Sequence, residues 1–410
     1  MPSYLTPGIY IEEISTGPRP IESVGTSTAA FVGLAPDPNA RPHEAVAINN
    51  WSQFVKFFAP EGSASTPLAH AVFGFFQNGG GRCYVVNVGT DGALVGDGHT
   101  RKGVELLEEV DEVAIVAAPG LADAASYDTI LSHCEKLKDR VAILDSPAEF
   151  TSIDQLNTVA TAPATKKPKK AGDTDAAPDT SSTAPGLRPR SSDGGYGALY
   201  FPWIVVRDPF APQNLVSVPP SGHIAGIYAR TDSTRGVHKA PANEAIRGAL
   251  DLQYRVTREE QGSLNQNGVN CIRFFPNQGI RVWGARTLAD SASEWRYINV
   301  RRLFNMIEEA IARGTRWVVF EPNDMSLWKS IRRDVGAFLT LQWRQGALMG
   351  ATPEEAFFVQ CDEETNPPEV IDAGMVITVI GIAPVKPAEF VVFRIGQGAG
   401  GTQVEGEGGK

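Results

Sequence analysis

From Cys83 to Leu144 the chain keeps changing its apolar period, and that alternation leaves few folds open. Cys83–Val88, Val113–Ala118 and Val141–Leu144 are short, β-branched and almost unbroken apolar runs. Between them Lys102–Val110 and Tyr127–Leu137 have helical spacing, with Ile130, Leu131 and Cys134 on one side of the second. A strand apolar at every position needs cover on both faces, and helices placed between such strands supply it. The expectation is an α/β fold: mixed sheet covered by helices.

The same rhythm extends both ways. Ala29–Leu34 reads as a buried strand, and Trp51–Phe58 and Leu68–Phe76 as helices, the second stopping at Asn78-Gly79-Gly80-Gly81. It resumes at Ala198–Val206. Later come a helix at Val300–Arg313, a strand at Trp317–Phe320, and a long helix at Ser326–Gln345 with Leu327, Ile331, Phe338 and Leu341 inward. Phe357–Cys361 and Met375–Ile382 read as strands. Two stretches break the pattern. Residues 162–195 are nearly free of large apolar side chains and carry Lys166-Lys167-Pro168-Lys169-Lys170, which predicts a disordered surface loop. Pro219-Pro220-Ser221-Gly222-His223, Tyr228–Asp232 and Lys239–Asn243 read as specified loops, the first as a tight turn on Gly222.

A chain of 410 residues is long enough for two or three domains. Its net charge of −10 and pI near 5.2 oppose a nucleic-acid partner, which needs a basic surface, and an anionic membrane for the same reason. No apolar run approaches the ~18 residues of a membrane span, so direct membrane insertion is not expected. The first residues, Met1-Pro2-Ser3-Tyr4-Leu5-Thr6-Pro7-Gly8, lack the basic-then-apolar order of a signal peptide, which points to assembly in the cytoplasm. Cys83, Cys134, Cys271 and Cys361 form no C-x-x-C pair and sit in apolar surroundings, as buried free thiols do.

Catalytic patterns are nearly absent. Ser221, His223 and Asp208 invite a hydrolase triad on a subtilisin-like α/β fold, but Pro-Pro-Ser-Gly-His is not a G-x-S-x-G elbow. A serine and a histidine two positions apart also point in different directions. His43, His70, His99, His133 and His238 are scattered, with no metal-ligand spacing, and the acids Asp362-Glu363-Glu364 and Asp372 do not match a calcium loop. Gly396-Gln397-Gly398-Ala399-Gly400-Gly401 fits G-x-G-x-x-G, yet no helix follows it to hold a phosphate, and a flexible tail is expected. The reading is of a protein without cofactor, metal or catalytic residues.

The two ends carry more information. Phe390, Val391, Val392, Phe393 and Arg394 lead to Ile395 as a short strand apolar on both faces, with only a Gly-rich tail after it to provide cover. Ile9, Tyr10, Ile11 and Glu12 lie in a similar strand near the other end, stopped by Gly17-Pro18-Arg19-Pro20. Each either fills a slot in its own domain or adds to the sheet of another subunit.

Several segments in order then point one way. They include Pro7-Gly8-Ile9-Tyr10-Ile11-Glu12-Glu13, Val24-Gly25-Thr26-Ser27-Thr28-Ala29-Ala30-Phe31-Val32-Gly33 and Pro219-Pro220-Ser221-Gly222-His223-Ile224-Ala225-Gly226. Arg281-Val282-Trp283-Gly284-Ala285-Arg286-Thr287-Leu288, Phe320-Glu321-Pro322-Asn323-Asp324 and Pro384-Val385-Lys386-Pro387-Ala388-Glu389-Phe390 continue the series. On these words the chain resembles the tail sheath proteins of contractile phages and of phage-tail-like contractile injection systems. The resemblance implies a structural subunit that polymerises with itself around an inner tube protein. It also implies baseplate and tail-terminator or cap proteins as partners, and contraction that drives the tube through a target envelope. Terminal strands donated to neighbouring subunits are implied as well. The organisation expected is an arm at 1–20, an α/β sheath domain at 21–297, a C-terminal α/β domain at 298–388, and a strand with a Gly tail at 389–410. On the 326–345 helix, Arg332, Arg333 and Arg344 would face an acidic tube or form a solvated face that balances an acidic protein. A hydrolase and a sheath-related adaptor or cap are the competing readings.

Overall fold

The computed structural model describes residues 20–161 and 185–392. The expected N-terminal strand with Ile9, Tyr10, Ile11 and Glu12, the loop residues 162–184, and Phe393, Arg394 and the Gly tail lie outside the described residues.

The apolar runs become a sheet. β1 (Ala29–Gly33), β2 (Ala45–Ile48), β3 (Cys83–Asn87), β4 (Ile115–Ala117), β5 (Val141–Asp145) and β6 (Gly197–Phe201) build its first part. Short β7 (Ile204–Arg207), β8 (Leu215–Val218) and β10 (Asp251–Leu252) form a separate three-stranded sheet, and β9 is Glu244–Ala245. With β11 (Val269–Phe275) and β12 (Gly279–Val282) the main sheet has nine strands, ordered β2-β3-β1-β4-β5-β6-β11-β12-β9. Its middle, from β3 to β11, is parallel, and its two edges are antiparallel.

Strand alternation divides the core into two. Ala29 and Phe31 face one side, where α1 (Trp51–Phe58), α2 (Pro67–Gln77) and α4 (Ser221–Arg235) contribute Phe54, Phe58, Phe75, Ile224 and Ile227. Ala30 and Val32 face the other side, under α3 (Ala124–Leu137) and α5 (Arg258–Gln266), which bring Tyr127, Ile130, Leu131 and Leu264. The helices start where side chains take the orphan N–H groups: Asn50, Thr66, Asp123 and Thr257 each accept from the first turn. A third core belongs to a more helical module of α6 (Ile298–Gly314), α7 (Met325–Arg344), α8 (Pro353–Ala356), α9 (Pro368–Asp372) and the hairpin β13 (Phe357–Gln360)–β14 (Val379–Ile382). Ile21 completes this core from the far end of the sequence; a Cβ on Gly314 would meet its Cγ1 at 2.7 Å.

Several expectations are corrected. Pro219–His223 is not a tight turn, and Tyr228–Asp232 is not a loop: Ser221–His223 opens α4 behind its cap residue Pro220, and Tyr228–Asp232 lies within it. The helix has no amphipathic period because it is buried almost all round, and its glycines serve packing. A Cβ on Gly222 would lie 2.2 Å from Ala71 Cα, and one on Gly226 2.5 Å from the Phe75 carbonyl. Trp317–Phe320 is not a strand either. Arg316–Val318 closes as a 3₁₀ turn whose N–H groups bond locally, so this short apolar run needs no sheet partner. Lys102–Val110 is likewise a 3₁₀ helix, over Gly103–Glu109. Ala198–Val206 is two strands, because Pro202 offers no N–H for the ladder. Met375–Ile382 pairs only from Val379; Ile377 instead exchanges hydrogen bonds with the Asn366 side chain. Leu341 points outward, 48% exposed. Residues 185–195 pack rather than drift: Leu187 N–H donates to Gln155 O at 2.8 Å, and Arg190 bonds both Asp128 and Glu135.

One buried network joins the sheet body to the helical module. Arg302 of α6 donates from Nη1 to Asp232 Oδ1 at 3.0 Å and from Nη2 to Oδ2 at 2.5 Å. Thr26 Oγ1 donates to the same Oδ2 at 2.5 Å, and the Thr26 carbonyl accepts from Arg302 Nη2 at 3.0 Å. The guanidinium lies 4.6 Å from the Tyr228 ring centroid, and Tyr228 OH shares a 2.7 Å hydrogen bond with Tyr200 OH. With the side chains 3% and 7% exposed, removing one partner strands a charge. Asp232→Ala should cost about 3–5 kcal/mol in urea unfolding. Replacing the pair, Asp232→Leu with Arg302→Met, should cost clearly less; equal losses would remove the pairing argument.

Candidate functional site

The proposed triad is dispersed by the fold. Ser221 is buried at the first turn of α4, where its Oγ donates to Asp145 Oδ2 at 2.7 Å and its N–H to Oδ1 at 2.8 Å. Gly120 N–H donates to Oδ2 at 3.2 Å, so Asp145 caps a helix whose own cap residue, Pro220, offers no side-chain acceptor. Burial pushes the Asp145 carboxyl up to about 6, against these hydrogen bonds. His223 is sealed elsewhere, its ring over Gly74, where a Cβ would sit 2.3 Å from Nδ1. Burial, with His70 nearby, pushes it down to about 3. Asp208 accepts from Ser65 Oγ and from Phe210 N–H. Ser221 therefore has a carboxylate partner and no base, and its hydroxyl is not open to a substrate.

The thiols are equally closed. All four cysteines are buried and free, as expected, and burial raises Cys83 and Cys134 and takes Cys271 up to about 12. Among the described residues no group of His, Cys, Asp and Glu is arranged to hold a metal ion.

What the molecule offers instead is surface for other chains. Phe390, Val391 and Val392 belong to no strand here and are 74%, 69% and 78% exposed. The expected strand is thus a bare apolar segment in its described part, with no pairing partner among the described residues. The β13–β14 hairpin is a two-stranded sheet with no third strand among the described residues, and it exposes Phe358 and Val379. Val319, Met325 and a fully exposed Phe320 add further apolar surface, on a segment that Asn323 Nδ2 ties to the Met375 carbonyl at 2.9 Å. Phe320 also holds a φ of +69°, a conformation that costs a non-glycine residue about 1–2 kcal/mol. On α7, Arg333 and Arg344 are exposed and Arg332 half-buried. Arg333 Nε donates to Asp334 Oδ1 at 2.9 Å, whereas Arg332 and Arg344 have no ion pair among the described residues.

Comparisons with known proteins place the chain among proteins of this kind. Residues 95–288 match the family model of the phage tail sheath protein central domain, and residues 290–397 that of the phage tail sheath C-terminal domain. The sheath complex of PVC, an extracellular contractile injection system, in its contracted state is 31% identical with a TM-score of 0.75, over 97% of this chain and 99% of that one. The chain belongs to the phage tail sheath family. Another similar structure is the helical sheath of the anti-feeding prophage in its contracted state, 29% identical with a TM-score of 0.72, covering 97% of this chain and 100% of that one. The tail sheath protein of Salmonella phage ViI is 29% identical over 290 residues, 68% of this chain and 43% of that protein. That of Vibrio phage KVP40 is 33% identical over 180 residues, 43% of this chain and 26% of that protein. This sheath protein spans less than half the length of the curated relatives it matches.

Two features of the sheath protein escape a reading of the sequence. The receptor for Glu389, built from Arg286, Asn265 and Tyr297, joins residues about a hundred positions apart, although Arg286 and Glu389 both lie in the segments that carry the resemblance. The exposure of Phe320 contradicts its apolar character, and no local pattern foretells it.

The buried histidine sets an acid limit. His223 stays neutral when folded and takes a proton near 6.5 when unfolded, so its contribution is complete above 6.5 and is lost as pH falls from 6.5 toward 3. Asp145, raised, works in the opposite sense: its contribution is whole below 3.8 and is lost as pH rises toward 6. Comparing wild type with His223→Gln isolates the first effect. The variant's unfolding free energy, from urea titrations, should fall less steeply between pH 6.5 and 5, by up to about 1.4 kcal/mol per pH unit; parallel profiles would refute it.

Proposed function

We propose that this sheath protein is the repeating subunit of a contractile sheath: copies polymerise around an inner tube and, once triggered, contract to drive the tube through a target envelope. The observation that carries the reading is the similarity, over nearly the whole of both chains, to a sheath complex in its contracted state. The chain assembles in the cytoplasm as part of a phage tail or phage-tail-like particle, between a baseplate and a terminal cap protein. Its working units are the two bodies at 21–297 and 298–388, with arms at 1–20 and 389–410.

The arms would hold the polymer together. Ile9, Tyr10, Ile11 and Glu12 from one end, and Phe390, Val391, Val392, Phe393 and Arg394 from the other, would pair with the open β13–β14 hairpins of neighbouring copies. Three exposed apolar residues and a two-stranded sheet with room for further strands support this. Main-chain pairing of this kind can persist while the bodies rotate, as two states of one polymer require. Arg332, Arg333 and Arg344 are assigned to the tube-facing side.

Deleting residues 1–14 or 389–410 should leave folded subunits that no longer polymerise in electron micrographs. Sheaths of normal length from either truncation would refute the arm exchange. Charge reversal at Arg332 and Arg344, the two without an ion pair among the described residues, should prevent assembly on the tube while leaving the subunit's circular dichroism unchanged. Normal extended particles from that variant would remove the tube-facing assignment.

A further inference from the structure

The C-terminal segment does not simply run off the protein; it is anchored twice before it becomes exposed. Over Ala383–Val385 it lies along the helical module. Ala383 N–H donates to Ala356 O at 2.9 Å, Met349 N–H to Ala383 O at 2.8 Å, and Val385 N–H to Ala347 O at 3.2 Å. The Val385 carbonyl accepts from Asn299 Nδ2 at 3.3 Å, at the first turn of α6. Then Glu389 enters a receptor on the sheet body. Arg286 Nε donates to Oε1 at 2.9 Å and Nη2 to Oε2 at 2.8 Å, a two-pronged fork. Asn265 Nδ2 donates to Oε1 at 2.7 Å and Tyr297 OH to Oε2 at 2.9 Å.

Three properties set this contact apart from a surface ion pair. Arg286 is 9% exposed, and its Nη1 donates to Asn265 O at 3.1 Å, so the fork is oriented by its own scaffold. Burial alone would raise the Glu389 carboxyl, yet the hydrogen bonds from Arg286, Asn265 and Tyr297 hold it below the ordinary range. And the chain changes character at the next residue, from a carboxylate with four donors to the exposed run Phe390–Val392.

We propose that Glu389 and its Arg286–Asn265–Tyr297 receptor are the root of the C-terminal arm, fixing the point from which it leaves its own subunit and passing tension between the arm and the sheet body. This rests on the exchange of arms argued under Proposed function. A donated strand must arrive in one register, because a slip of one residue exchanges its two faces. A fixed origin keeps the arm's effective concentration high at the neighbour's edge, and a loose one lets it sample useless positions. During contraction the two bodies of a subunit and the arm it has given away pull on one another. The strap passes from the helical module to the sheet body before it departs, so that pull is delivered to both. Glu389 is accordingly a positioning residue.

The test compares full-length wild type, Glu389→Gln and Tyr297→Phe, each as the unassembled subunit and as polymer. In the subunit, Glu389→Gln should raise hydrogen–deuterium exchange at 385–392 while leaving exchange in β1 and β5 unchanged. In micrographs, polymer yield should drop by about fivefold or more, with shorter and irregular sheaths. Wild-type exchange and wild-type sheaths from Glu389→Gln would overturn the root while leaving the sheath reading intact. Wild-type protein that never polymerises would overturn the sheath reading, and this inference with it. Should Glu389→Gln fail to fold, Tyr297→Phe decides, since it removes one neutral donor and no charge. A two- to threefold loss of polymer supports the root, and none overturns it.

Discussion

A guanidinium buried between two packed bodies leaves little freedom in how those bodies meet. Arg302 reaches from α6 to Asp232 at the far end of α4, takes the Thr26 carbonyl as a further acceptor, and rests on Tyr228. Displacing α6 would break several charge-assisted hydrogen bonds at once and leave two charges out of water. The N-terminal segment, the sheet body and the helical module are therefore held at one point by one ion pair. In the proposed sheath this matters, because a body that holds its shape can pass on force without yielding within.

The residues that look catalytic are used up in making that body firm. Ser221 and Asp145 replace the capping group that Pro220 cannot provide, and His223 fills the space left by Gly74. Gly222 and Gly226 let α4 lie against α2 at backbone contact. A serine, a histidine and an aspartate near one another in sequence thus have three separate structural tasks. The shifts of His223 and Asp145 come from burial, which structure-bearing groups share with catalytic ones.

Where local pattern met a local physical demand, the elements were legible. β1, β3 and β5 fall within a residue of their apolar runs, and α2, α3 and α6 start and stop within about three residues of the expected bounds. Errors cluster where tertiary surroundings override the local signal. α4 lacks a helical period because both of its sides are covered, and Trp317–Phe320 is β-rich in composition but has no sheet edge to join. Residues 185–195 look like loop yet are pinned by Arg190, whose partners on α3 lie more than fifty positions earlier.

The sequence by itself determined the α/β class, the coverage of the sheet on both faces and, through a series of short segments, the family. All of these follow from residue type and near-neighbour spacing. It also marked Phe390–Arg394 as an apolar segment in need of cover, since apolar character on both faces is a local property. Only the tertiary structure decided that Ser221 and His223 never meet, that Arg302 and Asp232 do, and that Glu389 is held by Arg286, Asn265 and Tyr297. These contacts join positions from about 70 to 124 residues apart. Chain geometry, and no spacing along the sequence, brings such groups within hydrogen-bond reach.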